Sequence, residues 1–287
     1  MKLTGVGIWS SQLRYGDAGE SADAAAELDQ LGFSALWIPD VGGPVFDAVG
    51  RLLTATARTV IATGILNLWM HSPDDVAASY SALTAEHGDR FLLGIGVSHA
   101  PLIDAGEPGK YRKPLAATES FLDGLDAAER PVPTERRVLA ALGPKMLALS
   151  ASRARGAHPY LVTPDHTASA RAVLGEGPLL LPEQTVILSD DADEARRIGT
   201  DWLKAYLALP NYANNLLRSG FSEDDLAQVS ERLFNAIIAW GDEEAVMRRV
   251  AEHRTAGADH VCVQVLTADP TEFPREQWRR IAAACNA

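Results

Sequence analysis

Short apolar runs alternate with amphipathic stretches along the whole chain. Eight of the runs show little alternation of apolar and polar positions. Such runs are typical of strands in a parallel sheet that is covered by helices, because both faces of each strand are then buried. The predicted strands are residues 6–9, 33–38, 60–66, 90–97, 137–142, 156–162, 184–188 and 260–266.

The stretches between these runs carry helix signals. Ser21 is a candidate N-cap of the first helix and Gly32 its C-terminal stop, while Ser72 and Pro73 open another helix as an N-cap and a first-turn proline. Residues 101–114 hold three prolines and two glycines and are predicted to form a long active-site loop. The predicted helices are residues 22–31, 45–57, 73–87, 115–128, 144–153, 164–174, 191–207, 211–217, 223–238, 242–256 and 275–284.

Eight strands that alternate with helices predict an α/β fold, a (β/α)8 TIM barrel in a single domain of residues 1–287. The long helical stretch of residues 191–238 would be a helical insertion between strands 7 and 8 at the catalytic face. A doubly wound open sheet is the alternative. It is disfavoured because no Gly-x-Gly-x-x-Gly follows the first strand and opens a helix.

The fourth run ends in a sequence that suits a binding site. Gly94 and Gly96 leave space in its C-terminal half for a ligand or another backbone, and Ser98 and His99 follow the strand end. Ligands of α/β proteins bind at the carboxyl ends of parallel strands. We therefore predict that this run begins in the barrel core and ends in the pocket.

Composition and charge exclude several classes. The chain has 287 residues and a formal net charge of −12, which disfavours a nucleic-acid-binding surface. Its two cysteines, Cys262 and Cys285, are too few for a disulfide framework or a cysteine-rich zinc site, and Cys262 is expected to be a buried small hydrophobe. With no N-terminal signal pattern and no apolar span of 18 residues, we expect a cytoplasmic protein without membrane contact.

Common catalytic motifs are absent from the sequence. It has no Walker-type loop, His-Glu-x-x-His helix, Gly-x-Ser-x-Gly elbow or EF-hand loop, and its seven histidines show no metal-ligand spacing, so we predict no metal site. The predicted strand ends instead carry small or polar residues and few charges. A pocket of that kind suits a large, flat, neutral or anionic cofactor ring.

Several segments resemble the bacterial-luciferase-like flavin and deazaflavin oxidoreductases. They are AELDQLGFSALWIPD at residues 26–40, RFLLGIG at residues 90–96 and LGPKMLALS at residues 142–150, followed by GAHPYLVTP at residues 156–164. Their order and spacing hold over most of the chain, and the last segment resembles in particular the branch that uses coenzyme F420. The resemblance implies a TIM barrel whose cofactor ring lies at the C-terminal mouth of the strands.

The resemblance also implies site residues at matching positions. Asp40 would lie near the ring or the substrate, Gly64-Ile65 matches a site where the family often has a non-proline cis peptide behind the ring, and residues 156–160 match a segment whose backbone N–H groups contact the ribityl phosphate. Each has a purely structural alternative: Asp40 could be a turn carboxylate, Gly64-Ile65 an ordinary trans bulge, and residues 156–160 a plain buried strand. The implied cofactor-binding residues are Asp40, Gly64, Ile65, Gly96, Val97, Ser98, Gly156, Ala157, His158, Pro159 and Tyr160, and the implied substrate-pocket residues are Trp9, Trp69 and His71.

Two positions depart from the family pattern. Val41 stands where the family's sugar-phosphate and alcohol dehydrogenases carry histidine, and His99 stands where they carry glutamate. Their acid–base pair is therefore not reproduced. Asp40 and His99 are the candidate catalytic residues. His99 suits proton transfer because histidine has an unperturbed pKa near 6.5. Alternatively, His99 only forms a hydrogen bond with the cofactor.

Three functions follow from these observations. The first is an oxidoreductase that transfers hydride between coenzyme F420 and an unidentified small organic substrate. The second is an FMN-dependent luciferase-like monooxygenase, and the third is a non-catalytic member of the family that binds a flavin or no cofactor. The resemblance implies a homodimer, and residues 101–114 and 210–222 are expected to decide the substrate.

Overall fold

A computed structural model describes residues 3–285 of the chain. Every pair of neighbouring strands in its sheet is parallel. The strands follow the order β10-β9-β11-β1-β2-β3-β5-β6-β7-β8, with β4 also beside β5. They are β1 (Gly5–Trp9), β2 (Ala35–Ile38), β3 (Val60–Thr63), β4 (Leu66–Asn67), β5 (Phe91–Gly96), β6 (Arg137–Leu139), β7 (Gly156–Ala157), β8 (Leu179–Leu180), β9 (Glu183–Ile187), β10 (Ala239–Trp240) and β11 (His260–Val265).

The sheet closes into a barrel, because β8 at one end of this order and β9 near the other are segments of one barrel strand. The amide of Leu181 donates to the carbonyl of Ala157 on one side (2.9 Å), and Pro182 accepts from the amide of Cys262 on the other (3.0 Å). Likewise, β3 and β4 are two segments of the third strand. The sheet is therefore the predicted eight-stranded TIM barrel, with β10 added beside β9.

Helices follow the strands and cover the outside of the barrel. Two short 3₁₀ turns, Leu68–Met70 and Thr134–Arg136, precede or follow strands. The helices are α1 (Gln12–Tyr15), α2 (Ala18–Leu31), α3 (Val45–Ala55), α4 (Pro73–His87), α5 (Ala100–Gly106), α6 (Pro114–Ala127), α7 (Pro144–Arg153), α8 (Pro164–Leu174), α9 (Ala192–Leu207), α10 (Pro210–Arg218), α11 (Glu223–Gln228), α12 (Glu231–Ile237), α13 (Glu243–Thr255) and α14 (Arg275–Cys285).

Side chains alternate between two core layers along the strands. On β2, Ala35 and Trp37 belong to the cluster inside the barrel, whereas Leu36 and Ile38 pack outward against the helices. All four are fully buried, which explains why the strand shows no alternation of apolar and polar positions in the sequence. Cys262 also lies inside the barrel, as predicted.

The predicted insertion between strands 7 and 8 consists of α9 to α12. Its buried Leu203, Leu216, Leu233 and Phe234 belong to one hydrophobic cluster with Leu161 and Ile187 of the barrel. This shared core holds the insertion against the mouth of the barrel. Within residues 3–285, every helix is too short or too polar to cross a membrane.

Two predicted helices have different boundaries in the structure. Asp17, and not Ser21, caps α2, because its carboxylate accepts from the amides of Gly19 and Glu20, and Ser21 lies inside the helix. The predicted helix of residues 223–238 is split in two. Val229 adopts a left-handed conformation (φ 48°) that ends α11, and Ser230 caps α12.

One predicted loop and one predicted strand also need correction. The loop of residues 101–114 begins with α5. The sixth strand ends at Ala157 instead of residue 162. Pro159 has no N–H for a sheet ladder, and Leu161 adopts a left-handed conformation (φ 56°), so the chain leaves the sheet there.

Candidate functional site

A cavity of about 390 Å³ opens at the carboxyl ends of the barrel strands. We call it the main cavity. Its size is in the range of cavities that hold small molecules and cofactors. The predicted site residues that line it are Trp9, Asp40, Gly64, Ile65, Val97, Ser98, His99, His158 and Tyr160.

Asp40 lies at the end of β2 with its side chain fully buried. Its Oδ2 accepts from the amide of Asn67 (3.2 Å) and lies 2.8 Å from Nε2 of His71. A carboxylate only accepts, so Nε2 of a neutral His71 carries the proton of this hydrogen bond. His71 itself does not line the main cavity, and it therefore holds Asp40 in place from behind.

His99 lies just beyond β5, at the start of α5. Its Nδ1 is 3.0 Å from Oδ1 of Asn211, and its ring packs on Tyr212 at 5.1 Å between centroids. An amide oxygen only accepts, so Nδ1 carries a proton and Nε2 of the neutral ring remains available as a base. Burial lowers the pKa of His99, and the hydrogen bond that its ring donates to Asn211 opposes that shift only in part.

The third strand is interrupted by a cis peptide bond between Gly64 and Ile65, as the family resemblance implied. The carbonyl of Gly64 accepts from Nε1 of Trp9 at 2.9 Å. A Cβ atom on Gly96 would lie 2.7 Å from Cγ1 of Ile65. Gly96 therefore gives room to the side chain of Ile65, and it does not line the main cavity.

His158 lies at the floor of the main cavity, stacked on Trp37 with 4.3 Å between ring centroids. Its Nδ1 is 2.7 Å from the carbonyl of Leu181, and burial lowers its pKa to about 4. The backbone amide of His158 donates to Leu139 (2.8 Å) and so is not free to bind a phosphate. This corrects the prediction that it is one of the phosphate donors.

Three other predicted cofactor residues, Gly156, Ala157 and Pro159, do not line the main cavity. Gly156 faces the neighbouring backbone, because a Cβ atom there would lie 1.9 Å from the carbonyl of Leu179. Ala157 accepts from Leu181 within the sheet. Residues 156–160 therefore supply the side chains of His158 and Tyr160 to the main cavity, and Gly156 allows close contact with the backbone of β8.

Tyrosines from the barrel and the insertion form one wall of the main cavity. The hydroxyl of Tyr160 donates to Oε1 of Gln264 (2.6 Å) and lies 3.1 Å from the hydroxyl of Tyr206. The ring of Tyr212 packs on both tyrosines, 5.9 and 5.6 Å away. Burial raises the pKa of all three hydroxyls, so they stay neutral hydrogen-bonding groups.

A buried acid supports this wall from inside the barrel. Glu183 accepts from the hydroxyl of Thr185 (2.6 Å) and from the amide of Leu161 (3.3 Å), the left-handed residue after Tyr160. Burial raises the pKa of Glu183 to about 7. Glu183 therefore fixes the turn that places Tyr160 in the main cavity.

The N-terminus of α7 also faces the main cavity, through Gly143 and Met146. Pro144 has no N–H, and the amides of Lys145 and Met146 have no acceptor within the helix. No side chain caps this end. Arg218, the cation of the cavity wall, is exposed and bonds to Oδ1 of Asn215 at 3.2 Å.

Sequence reasoning missed the residues that distant elements bring to the main cavity. They are Val41, Tyr111, Leu142, Gly143, Met146, Tyr206, Asn211, Tyr212, Asn214 and Arg218. Tyr111, Asn211 and Tyr212 fall in the two segments expected to decide the substrate, and that expectation was the available signal. Trp69 does not line the main cavity; its Nε1 donates to the carbonyl of Val97 (2.8 Å), and its ring lines a neighbouring groove.

Known proteins resemble this chain over most of its length. A family model described as luciferase-like monooxygenase matches residues 3–260. A protein of Mycobacterium tuberculosis, provisionally named a coenzyme F420-dependent oxidoreductase, is 22% identical over 94% of this chain and 96% of its own.

Two solved structures share the fold. One is an F420-dependent secondary alcohol dehydrogenase in complex with an F420-acetone adduct, with a TM-score of 0.76, 14% identity and 99% of each chain covered. The other is the EDTA monooxygenase of Chelativorans sp. BNC1, with a TM-score of 0.73, 11% identity, and 99% of this chain and 94% of that chain covered.

Proposed function

The chain belongs to the luciferase-like monooxygenase family, since that family's model matches residues 3–260. From this membership we propose that it is an oxidoreductase that transfers hydride between coenzyme F420 and a small organic substrate. The observation that carries the proposal is the main cavity, in which Asp40 and His99 lie at the ends of the second and fourth barrel strands, on either side of the Gly64–Ile65 segment of the third. The provisional name of the mycobacterial relative supports F420 as the cofactor.

The residues of the main cavity fit such a cofactor. Trp9, Ile65 and Tyr160 offer the flat apolar surface that a tricyclic ring needs, and Ser98 adds a hydroxyl. The uncapped N-terminus of α7 and the exposed Arg218 suit the phosphate of the side chain. Coenzyme F420, when bound, supplies a two-electron hydride donor or acceptor at C5 of its deazaflavin ring.

His99 is the group we assign to proton transfer. Its neutral ring presents Nε2 as a base because Nδ1 is bonded to Asn211. In the substrate-oxidising direction Nε2 would take the proton from a substrate hydroxyl, and in the reducing direction the protonated ring would return it. Asp40, held by His71 and Asn67 at the end of β2, can accept a hydrogen bond from the substrate.

Cofactor titration tests the proposal directly. We expect the purified protein to bind F420 with a Kd below ~100 μM, about −5.5 kcal/mol, as measured by quenching of deazaflavin fluorescence. Binding of F420 that is at least tenfold tighter than that of FMN supports the assignment. A protein that binds neither cofactor at this level is the non-catalytic family member, and the proposal then fails.

Replacing His99 tests its role separately from cofactor binding. We expect H99Q to reduce turnover about 10²-fold or more and to change the Kd of F420 less than twofold. Because burial lowers the pKa of His99, its base form persists below pH 6.5, and wild-type oxidation should lose activity only at lower pH. H87Q, on the outer helix α4, is the matched control. Unchanged turnover in H99Q would assign His99 to packing.

An FMN-dependent monooxygenase is the second candidate. The shared fold of the EDTA monooxygenase favours it, and the cavity described above suits either tricyclic ring. Reduced deazaflavin reacts slowly with dioxygen, whereas reduced flavin in a monooxygenase reacts readily. Reoxidation of the reconstituted protein in air, compared with reoxidation under nitrogen, therefore separates the two candidates.

A further inference from the structure

Exposed hydrophobic side chains are concentrated at one place beside the main cavity. In residues 3–285, five large hydrophobic side chains are exposed, and Val41, Met70, Leu102 and Tyr15 are four of them. Val41, Met70 and Leu102 are 62%, 48% and 54% exposed and line the same groove. The fourth exposed side chain, Tyr15, lies beside them, since its hydroxyl accepts a hydrogen bond from the amide of Val41 at 2.8 Å. Scattered single exposures are ordinary, but such a cluster marks a binding surface.

The groove has a volume of about 400 Å³ and is continuous with the main cavity. Val41 and Ser98 line both, at the ends of the second and fourth barrel strands. Trp69 and Ile103 add apolar surface to its lining. We call this space the apolar groove. A molecule with one end in the main cavity can therefore extend into it.

A third, open space adjoins the apolar groove, since Trp69, Glu107 and Lys110 line both, and Arg112 and Lys113 complete its charged lining. Its three cations outnumber its one acid, although the chain as a whole carries a net charge of −12. Lys110 pairs with Glu107 at 3.1 Å, an exposed ion pair. Arg112 and Lys113 are exposed and have no carboxylate partner within residues 3–285. Two uncompensated cations at the end of an apolar groove suit a ligand with an anionic terminus.

We propose that the apolar groove binds the hydrocarbon chain of an amphiphilic substrate whose terminal carboxylate or phosphate lies against Lys110, Arg112 and Lys113 while its reacting end lies in the main cavity. The inference rests on the proposed function, because it assigns the substrate class of that same site. The order of the three spaces fixes the order of the groups in the substrate: reacting carbon, apolar chain, anion.

Calorimetric titration with matched eight-carbon probes tests the proposal. Octanoate, octan-1-ol and octylamine share one hydrocarbon chain and differ in terminal charge. We expect octanoate to bind at least about tenfold tighter than octan-1-ol in 20 mM NaCl, octylamine to bind weakest, and the preference to shrink in 300 mM NaCl. Equal affinities for the three probes would overturn the proposal.

Variants of exposed residues separate the two halves of the site. R112Q/K113Q should remove the preference for octanoate and leave octan-1-ol binding unchanged, whereas L102S should weaken both about fivefold. K204Q and V173S, an exposed cation and an exposed apolar residue elsewhere on the barrel, are the matched controls. Octanoate binding that resists both groove variants overturns the proposal.

The test distinguishes other occupants of the groove. Octanoate should still bind when F420 is saturating; competition between them would assign the cationic end to an anionic part of the cofactor and overturn the substrate assignment. L102D should leave the mass measured by light scattering unchanged; dissociation of a dimer would make the groove a subunit interface. Because cofactor affinity is measured independently, the proposed function survives a failure of this inference.

Discussion

G94A should fail to fold or should lose more than about 4 kcal/mol of unfolding free energy. A Cβ atom at residue 94 would lie 2.0 Å from the carbonyl oxygen of Thr63, a fully buried residue of the neighbouring strand β3. The contact is with backbone, which cannot rotate away. The same two residues exchange hydrogen bonds, since the Thr63 hydroxyl donates to the Gly94 carbonyl (2.7 Å) and accepts from the Gly94 amide (2.9 Å).

The measurement is soluble yield followed by urea unfolding monitored by circular dichroism. G106A is the matched control, because no atom lies within 4 Å of a Cβ at that helix end. We expect G106A to change stability by less than about 1 kcal/mol, with the sign that helix propensity favours. A G94A protein with wild-type stability would show that β3 and β5 can separate at this point.

Four buried groups, three histidines and Glu183, should together lower the unfolding free energy by about 4 kcal/mol between pH 7 and pH 5. Burial lowers the pKa of His158 to about 4 and the pKa values of His253 and His260 to about 3. Below pH 6.5 the unfolded chain takes up protons that these folded residues do not. Stability therefore falls as the pH drops from 6.5 toward the folded pKa values.

Glu183 opposes this loss in part. The pKa of Glu183 in the folded protein, about 7, lies above the usual carboxyl value. Its contribution to stability is therefore lost as the pH rises from 4.5 to 7, and it is regained as the pH falls again. Over the interval from pH 7 to pH 5 this regains about 2 kcal/mol, whereas the three histidines together lose about 6 kcal/mol. The figure of about 4 kcal/mol is the difference.

One histidine variant isolates the effect. The ring of His260 accepts from Nε1 of Trp37 (3.2 Å) and bonds to the hydroxyl of Ser34 (3.3 Å), which the amide of H260Q can partly reproduce. We expect H260Q to reduce the loss between pH 7 and pH 5 by about 2 kcal/mol, and V173S, which removes no titratable group, to leave it unchanged. An equal pH dependence in H260Q and the wild type would place the acid sensitivity elsewhere.

Much of the site follows from local sequence, because barrel strands deliver their C-terminal residues to one face. Asp40, Ser98 and His99 follow predicted strands directly and all line the main cavity. The Gly64–Ile65 cis peptide was also predicted, from the family resemblance. The glycines were harder to interpret, since a sequence shows a missing side chain but not what fills its place. Gly94 and Gly96 serve the neighbouring strand segment, and the ligand space lies beyond them.

The sequence by itself determined the alternation of strands and helices, the order of the barrel and the strand ends that carry chemistry, because each depends on residues close together in the chain. Only the tertiary structure decided which residues from far apart meet. It bonds His99 to Asn211, 112 positions later, and so leaves Nε2 as the free base. It also bonds Asp40 to His71 and joins Val41, Met70 and Leu102 into one groove. Such meetings depend on how helices and insertions fold back over the barrel mouth, and no short-range pattern encodes that.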